Sequence, residues 1–138
     1  MPILLRCHKG IGPVVTGTAL VAADNFSARY DLDRHKGVFS RPSHKLAGQS
    51  YVDRILVLDT AKGGVATAWM LHQMATRGIV PRALIFNRVN PILAQGAAFG
   101  EVALVDRFAG DVTRLFRTGD ELRVDPAAGV VEILNRDS

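Results

Sequence analysis

The chain has 138 residues, of which 48% are apolar and 22% are charged, and its formal net charge is +4. This length suits a single hydrophobic core, so we expect residues 1–138 to form one domain. No apolar run approaches the ~20 residues that a membrane-spanning helix needs. The first residues also lack the basic leader and apolar core of a secretory signal. We therefore expect a cytoplasmic protein that does not bind a membrane.

The basic residues are scattered, and the one short run, Arg34-His35-Lys36, closely follows Asp31 and Asp33. Nucleic-acid-binding surfaces concentrate their positive charge, so nucleic acid is not expected as a partner. An acidic metabolite or an acidic protein surface suits this distribution better. Cys7 is the only cysteine, and the four histidines lack the spacing of metal ligands. We therefore expect this chain to hold no metal or cofactor of its own.

The two ends of the chain carry β-strand patterns. Strands are predicted at residues 3–9, 14–21, 26–32 and 38–39, followed by an ordered surface loop over residues 40–50. Near the other end, residues 121–125 and 130–134 flank Pro126-Ala127-Ala128-Gly129, which predicts a hairpin. Residues 108–116 are expected to be loop or a helical turn.

The middle of the chain has a different pattern. Apolar strands are predicted at residues 55–58, 83–86 and 102–105, with helices at 65–76 and 92–99 between them. Strands that alternate with helices are usually parallel and buried on both faces. The predicted fold class is α/β, with a central parallel βαβαβ unit and additional β-strands from both termini packed into one domain.

The first candidate site is Lys62-Gly63-Gly64, between the strand at 55–58 and the helix at 65–76. The start of a helix leaves backbone N–H groups unpaired, and these attract an anion. Glycines allow a ligand to approach closely, and Lys62 adds positive charge. The alternative is a tight turn that needs glycine only for its geometry.

The second candidate follows the strand at 83–86, where Asn87, Asn90 and Gln95 offer neutral donors and acceptors. Open α/β sheets commonly bind ligands at the carboxyl ends of their strands. We therefore expect this loop to share one crevice with Lys62-Gly63-Gly64, with Thr67 on the helix behind. The alternative is a capping network in which Asn90 only begins a helix.

The third candidate is His44, in the loop Pro42-Ser43-His44-Lys45-Leu46-Ala47-Gly48. A histidine in a loop bounded by proline and glycine is expected to be accessible, so it could titrate or bind an anion. The alternative is a histidine that satisfies only local hydrogen bonds. A serine nucleophile elbow is excluded because no Gly-x-Ser-x-Gly occurs.

The order and spacing of these motifs resemble the small subunit, or swivel domain, of the aconitase X family. The resemblance covers residues Gly10 to Ile133. It rests on the segment 42–50, the strand 55–57, Lys62-Gly63 at a helix start, and Asn90-Pro91-Ile92-Leu93-Ala94-Gln95-Gly96-Ala97.

The resemblance implies a swivelling β/β/α domain that closes over a large catalytic subunit in a heterodimer. That partner would supply an iron–sulfur cluster or a metal. Family members are hydro-lyases that dehydrate small hydroxy acids, including cis-3-hydroxy-L-proline and, in archaeal relatives, a phosphorylated mevalonate. By resemblance, Lys62, Gly63, Gly64, Asn87 and Asn90 are expected to bind the anionic substrate.

This chain departs from the family at the strand-to-helix turn. Family members commonly carry Gly-Arg-Gly-Ser-Ser there, with a catalytic serine, whereas this chain has Ala61-Lys62-Gly63-Gly64-Val65. Thr67 and His44 are therefore the candidate catalytic residues, unless the partner provides the proton-transferring group or this branch has another substrate or reaction. Because the serine is missing, a second interpretation of this chain is a non-catalytic carboxylate-binding or regulatory module. A third alternative is a phosphocarrier that is modified at His44.

Overall fold

The computed structural model describes residues 3–26, 32–33, 35–60, 65–89 and 102–136, with the backbone alone for 65–69 and 71. These residues form a mixed α/β fold. Its strands are β1 (Ile3–Arg6), β2 (Val15–Val21), β3 (Leu32–Asp33), β4 (Val38–Phe39), β5 (Ile55–Thr60), β6 (Ala83–Arg88), β7 (Ala103–Val105), β8 (Glu121–Asp125) and β9 (Val130–Asn135); its helices are α1 (Val65–Thr76) and α2 (Val112–Leu115).

Seven strands form one sheet in the order β1-β9-β8-β2-β5-β6-β7, and β3 pairs with β4 separately. Strands β5, β6 and β7 are parallel, and β2 joins them in parallel beside β5. On its other edge β2 pairs antiparallel with β8, which continues through β9 to β1. The predicted fold class is confirmed: a parallel unit is extended by strands from both ends of the chain.

The parallel strands are apolar because both of their faces are buried. In β5, Leu56 and Leu58 pack into one core cluster, whereas Ile55 and Val57 pack into a second cluster on the opposite face. β5 and β6 are both longer than predicted, because they continue into polar residues as far as Thr60 and Arg88. The polar residues at these strand ends lie outside the apolar core.

Residues 7–11 connect the two sides of the sheet. The sequence predicts instead that a strand runs over residues 3–9. The backbone of Ile11 exchanges two hydrogen bonds with Leu104 of β7, at 2.9 and 2.8 Å, and His8 N–H donates to the Asp106 carbonyl. On the other side, Cys7 N–H donates to the Gly129 carbonyl of the β8–β9 turn at 2.9 Å. This segment, which we call the strap, covers the free edge of β7.

Helix α1 ends as its sequence predicts. Gly78 has a φ of +71°, and Ile79 N–H donates to the carbonyl of Met74, a buried helix residue. This is the left-handed glycine cap expected after the last helical turn. No helix in the described part of the chain is long and apolar enough to span a membrane. The predicted helix 92–99 and most of the predicted strand 26–32 lie outside the described residues.

Candidate functional site

A cleft of 580 Å³ opens at the carboxyl ends of β5 and β6. Its walls come from both strand ends, from the residues that follow β7, from the start of α2, and from the strap. The lining residues are His8, Asp59, Thr60, Asn87, Arg88, Arg107, Phe108, Gly110 and Asp111. This is the edge of the sheet at which parallel α/β proteins commonly bind ligands.

Asn87 organises one side of the cleft. Its amide nitrogen donates to Asp59 Oδ1 at 2.9 Å and to Asp111 Oδ1 at 3.0 Å. Its amide oxygen accepts from Val112 N–H, the first residue of α2, at 2.8 Å. Both amide protons are therefore in use, which leaves one oxygen lone pair for any ligand. The geometry indicates that Asn87 holds two carboxylates and a helix start in place, while its predicted contact with substrate stays a prediction.

Asp111 is the N-cap of α2 and remains a carboxylate well into the acid range. The hydrogen bond from Asn87, followed by those from the Thr113 hydroxyl and N–H, lowers the pKa of Asp111 below its ordinary value. Its Oδ1 accepts from Thr113 N–H at 3.0 Å, which is the usual contact of a capping residue. The Asn87 side of the cleft is therefore acidic.

Two arginines lie in the same cleft. Arg88 is the last residue of β6, and alternation along the strand places it on the opposite face from Asn87. Arg107 has a φ of +62°, which is unusual for a residue other than glycine, and its N–H donates to the Asn87 carbonyl at 3.1 Å. The backbone of Arg107 is thus held against Asn87, the residue that precedes Arg88 in β6.

A turn at Asp24-Asn25 lies on the other side of Thr60. Thr60 Oγ1 donates to Asn25 Oδ1 at 2.7 Å, and the Thr60 carbonyl accepts from Phe26 N–H at 2.9 Å. Asp59 N–H also donates to the Asp24 carbonyl at 2.9 Å. The chain just before Lys62-Gly63-Gly64 is therefore anchored by the segment that follows β2.

His44 supports this turn from within the core, so the expectation that it is accessible is wrong. Its side chain stacks on Phe39 with ring centroids 4.7 Å apart, and the residue is only 3% exposed. Nε2 lies 2.7 Å from the Asn25 carbonyl, and Nδ1 accepts from Leu46 N–H at 3.0 Å. Because Nδ1 accepts, Nε2 is the nitrogen that carries a proton toward the Asn25 carbonyl, and the Asp24 carboxylate lies 3.8 Å from it.

Residues 40–50 form a largely exposed loop, as predicted, in which His44 and Leu46 are the buried residues. A buried ring with both nitrogens hydrogen-bonded is a poor phosphate acceptor, which counts against the phosphocarrier alternative. The catalytic role predicted for His44 remains a prediction, although its surroundings favour a positioning role.

The remaining predicted site residues are described only in part. Lys62, Gly63, Gly64 and Asn90 lie outside the described residues. Thr67 lies in the first turn of α1, where the backbone alone is described. The described residues contain no group of three or more His, Cys, Asp or Glu side chains that could hold a metal.

Sequence reasoning did not select Asp59, Arg88, Arg107 or Asp111 as site residues. A usable signal existed for the first two, because Asp59 directly follows one apolar strand run and Arg88 lies two residues after the other. Arg107 and Asp111 enter the cleft only through the positions of β7 and α2. Nothing local in the sequence reports those positions.

Comparison with known proteins places this architecture in a family. The family model for the aconitase X swivel domain matches residues 4–133. The phosphomevalonate dehydratase small subunit of Methanococcoides burtonii is 31% identical, over 97% of this chain and 98% of that protein. The protein of the same name from Pyrococcus horikoshii is 32% identical, over 91% and 92% of the two chains.

A solved structure agrees with these sequence matches. The structure of Thermococcus kodakaraensis aconitase X in its holo-form superposes with a TM-score of 0.88 and 26% identity. The superposition covers 96% of this chain and 99% of that one. The chain belongs to the family of aconitase X swivel domains.

Proposed function

We propose that this chain is the small subunit of an aconitase X-like hydro-lyase and is active only with a large partner subunit. One observation carries the proposal. The match to proteins named as small subunits runs nearly end to end, over 97% of this chain and 98% of the relative from Methanococcoides burtonii. Coverage of this extent means that the likeness involves the whole domain and not a single motif.

The cleft at the ends of β5 and β6 is the part of the active site that this chain contributes. Two carboxylates held by Asn87 and two arginines at one sheet edge suit a ligand that carries both hydroxyl and anionic groups. The described residues offer no metal-binding group, so we assign the iron–sulfur cluster or metal to the partner. Lys62, Gly63, Gly64 and Asn90 remain candidates for substrate contacts.

Phosphomevalonate is the substrate that we favour. The relatives compared above are named phosphomevalonate dehydratase small subunits, and none of their names mentions hydroxyproline. Two arginines in the cleft suit a phosphate group better than the single carboxylate of hydroxyproline. cis-3-Hydroxy-L-proline is kept as the second substrate to test.

The test is co-expression with an aconitase X large subunit from the same genome, followed by anaerobic purification and dehydration assays. We expect a stable complex that dehydrates phosphomevalonate, with little turnover of cis-3-hydroxy-L-proline. Turnover of hydroxyproline alone would reverse the substrate assignment. Absence of any complex under anaerobic conditions would overturn the subunit assignment.

A non-catalytic binding or regulatory module is the second candidate, and one sequence feature favours it. Gly64 and Val65 occupy the positions where the family commonly has serine, and neither side chain can transfer a proton. Isothermal titration of the isolated chain with small carboxylates separates the two functions. Tight binding without a partner, together with an inactive complex, would support the module.

A further inference from the structure

We infer that Arg88 and Arg107 form a binding site for a phosphate monoester at the end of β6. This inference rests on the proposed function, because the phosphate in question is that of the substrate. It adds to the residues predicted from the sequence, which placed anion binding on Lys62-Gly63-Gly64.

The two arginines are not fully neutralised by neighbouring carboxylates. Among the described residues, Arg88 makes no ion pair, and its side chain is exposed at the cleft. Arg107 has one carboxylate nearby, with Nε 3.7 Å from Asp106 Oδ2. That same oxygen already accepts from Val89 N–H at 3.1 Å. Among the described residues, the ion pairs of these two arginines therefore involve one carboxylate, which leaves net positive charge on the pair.

Arg88 leaves β6 on the side of the cleft away from its carboxylates. Asp59 and Asp111 are held by the Asn87 amide on one face of β6. Arg88 follows Asn87 directly, so its side chain leaves the strand from the other face. The cleft is therefore polarised, with carboxylates on one side and a guanidinium on the other. A substrate that directs its phosphate to the guanidinium and its hydroxyl to the carboxylates of the cleft matches that polarity.

The backbone of Arg107 adopts a left-handed conformation. A φ of +62° is uncommon for a non-glycine residue, and glycine or asparagine would adopt it more easily. The bond from Arg107 N–H to the Asn87 carbonyl holds this conformation. This hydrogen bond places Arg107 directly beside the end of β6. An arginine at a strained position within a cleft suggests that its guanidinium has a use there.

Arginine pairs suit phosphate because each planar guanidinium can donate two parallel hydrogen bonds to its oxygens. A carboxylate offers only two oxygens, and one arginine is enough to bind them. The geometry therefore points to a phosphate monoester rather than to the carboxylate of a hydroxy acid.

The kinetic test uses the assembled two-subunit enzyme with Arg88→Gln and Arg107→Asn, because asparagine tolerates the left-handed backbone. Charge-assisted hydrogen bonds of ~1.5–3 kcal/mol predict that KM for phosphomevalonate rises tenfold or more in each variant. We expect kcat to stay within about threefold. Arg123→Gln is the matched control, since it removes the same charge from β8 outside the cleft. An unchanged KM in both cleft variants would overturn the inference while leaving the enzyme assignment intact.

A binding test keeps the inference open to refutation even if the complex proves inactive. Inorganic phosphate and acetate are titrated into the isolated full chain at constant ionic strength, and the arginine Nε resonances are followed by NMR. We expect saturable shifts of Arg88 and Arg107 with phosphate, a much weaker response to acetate, and loss of the shifts in Arg88→Gln. Equal responses to both anions, or none, would overturn the phosphate site.

Discussion

Asp120 and Arg136 form the best-defined ion pair of the described residues. Arg136 Nε donates to Asp120 Oδ1 at 3.0 Å and Nη2 donates to Oδ2 at 2.8 Å, while Asp120 is only 1% exposed. Burial alone would raise the pKa of Asp120, but the hydrogen bonds from Arg136 and from Arg117 N–H outweigh it and lower the pKa. This pair joins the end of β9 to the turn before β8.

We predict that Asp120→Asn lowers the free energy of unfolding by about 2–4 kcal/mol at pH 7, because it leaves a largely buried guanidinium without its charge partner. A carboxyl with a lowered folded pKa stabilises the fold above its unfolded pKa, ordinarily 3.8 for Asp, and loses that effect as pH falls through the folded value. The difference between variant and wild type should therefore shrink below about pH 4.

Urea unfolding at pH 7 and at pH 3 measures both effects. Asp125→Asn is the control, because its carboxylate lies 4.0 Å from an exposed Arg123 and such pairs contribute ~1 kcal/mol or less. A loss for Asp120→Asn no larger than that of the control would contradict the role given to the buried pair.

His44 gives a second prediction at the residue scale. Replacing it with alanine removes the stacking on Phe39 and leaves the Asn25 carbonyl and Leu46 N–H without their side-chain partner. We expect His44→Ala to lower the free energy of unfolding by about 2–4 kcal/mol. His44→Gln retains a donor near Nε2 and should lose less. A variant that keeps its stability but loses turnover in the complex would instead support the predicted catalytic role.

Among the elements, the strap is the one that the sequence patterns describe least well. Gly10 lies directly against β7, and a Cβ there would overlap the carbonyl oxygen of Leu104. Gly10 N–H also donates to the Pro126 carbonyl at 2.9 Å, so the backbone cannot move away without breaking the connection to the β8–β9 turn. The strap therefore requires glycine at this position for space.

We predict that Gly10→Ala destabilises the fold by about 2–4 kcal/mol, because either the strap or the edge of β7 must shift. Gly110→Ala is the matched control: a Cβ there would make only ordinary contacts, the nearest at 3.7 Å from Leu115. Thermal unfolding of both variants tests the prediction. Equal melting temperatures for the two variants would show that the strap does not hold β7.

The elements that were predicted correctly are those whose pattern is local. The apolar runs at 55–58 and 83–86 predict strands because both faces of each strand are buried, and the hairpin at 121–134 contains its own turn. The pairing of β2 with β5, and that of Ile11 with Leu104, joins residues that are distant in the chain. The spacing of apolar residues along the chain carries no information about such pairings.

The same distinction applies to the candidate site. Asn87 was selected because it directly follows an apolar strand. The burial of His44 could not be predicted, because it depends on Phe39 and on an Asn25 carbonyl that the end of β2 brings near. Asp111 reaches Asn87 only because α2 begins beside β6. Local sequence thus identified the sheet edge, whereas the tertiary fold determined which side chains meet there.

At the scale of the whole molecule, the proposed function is that this chain completes an active site in a two-subunit enzyme. The cleft is open in the isolated chain, and its carboxylates and arginines lie at one edge of the sheet. A partner that covers this edge would exclude water and strengthen the electrostatic contacts of the cleft. The isolated chain is therefore expected to be inactive.

The most direct measurement is the rate of phosphomevalonate dehydration while this chain is titrated into the purified large subunit under anaerobic conditions. The account predicts negligible turnover by either subunit alone and a rate that rises to saturation as the complex forms. Asn87→Ala should bind the large subunit equally well but reduce the saturating rate at least tenfold, because Asp59 and Asp111 lose their shared donor. A large subunit that is fully active alone, or an Asn87→Ala complex as fast as wild type, would contradict the account.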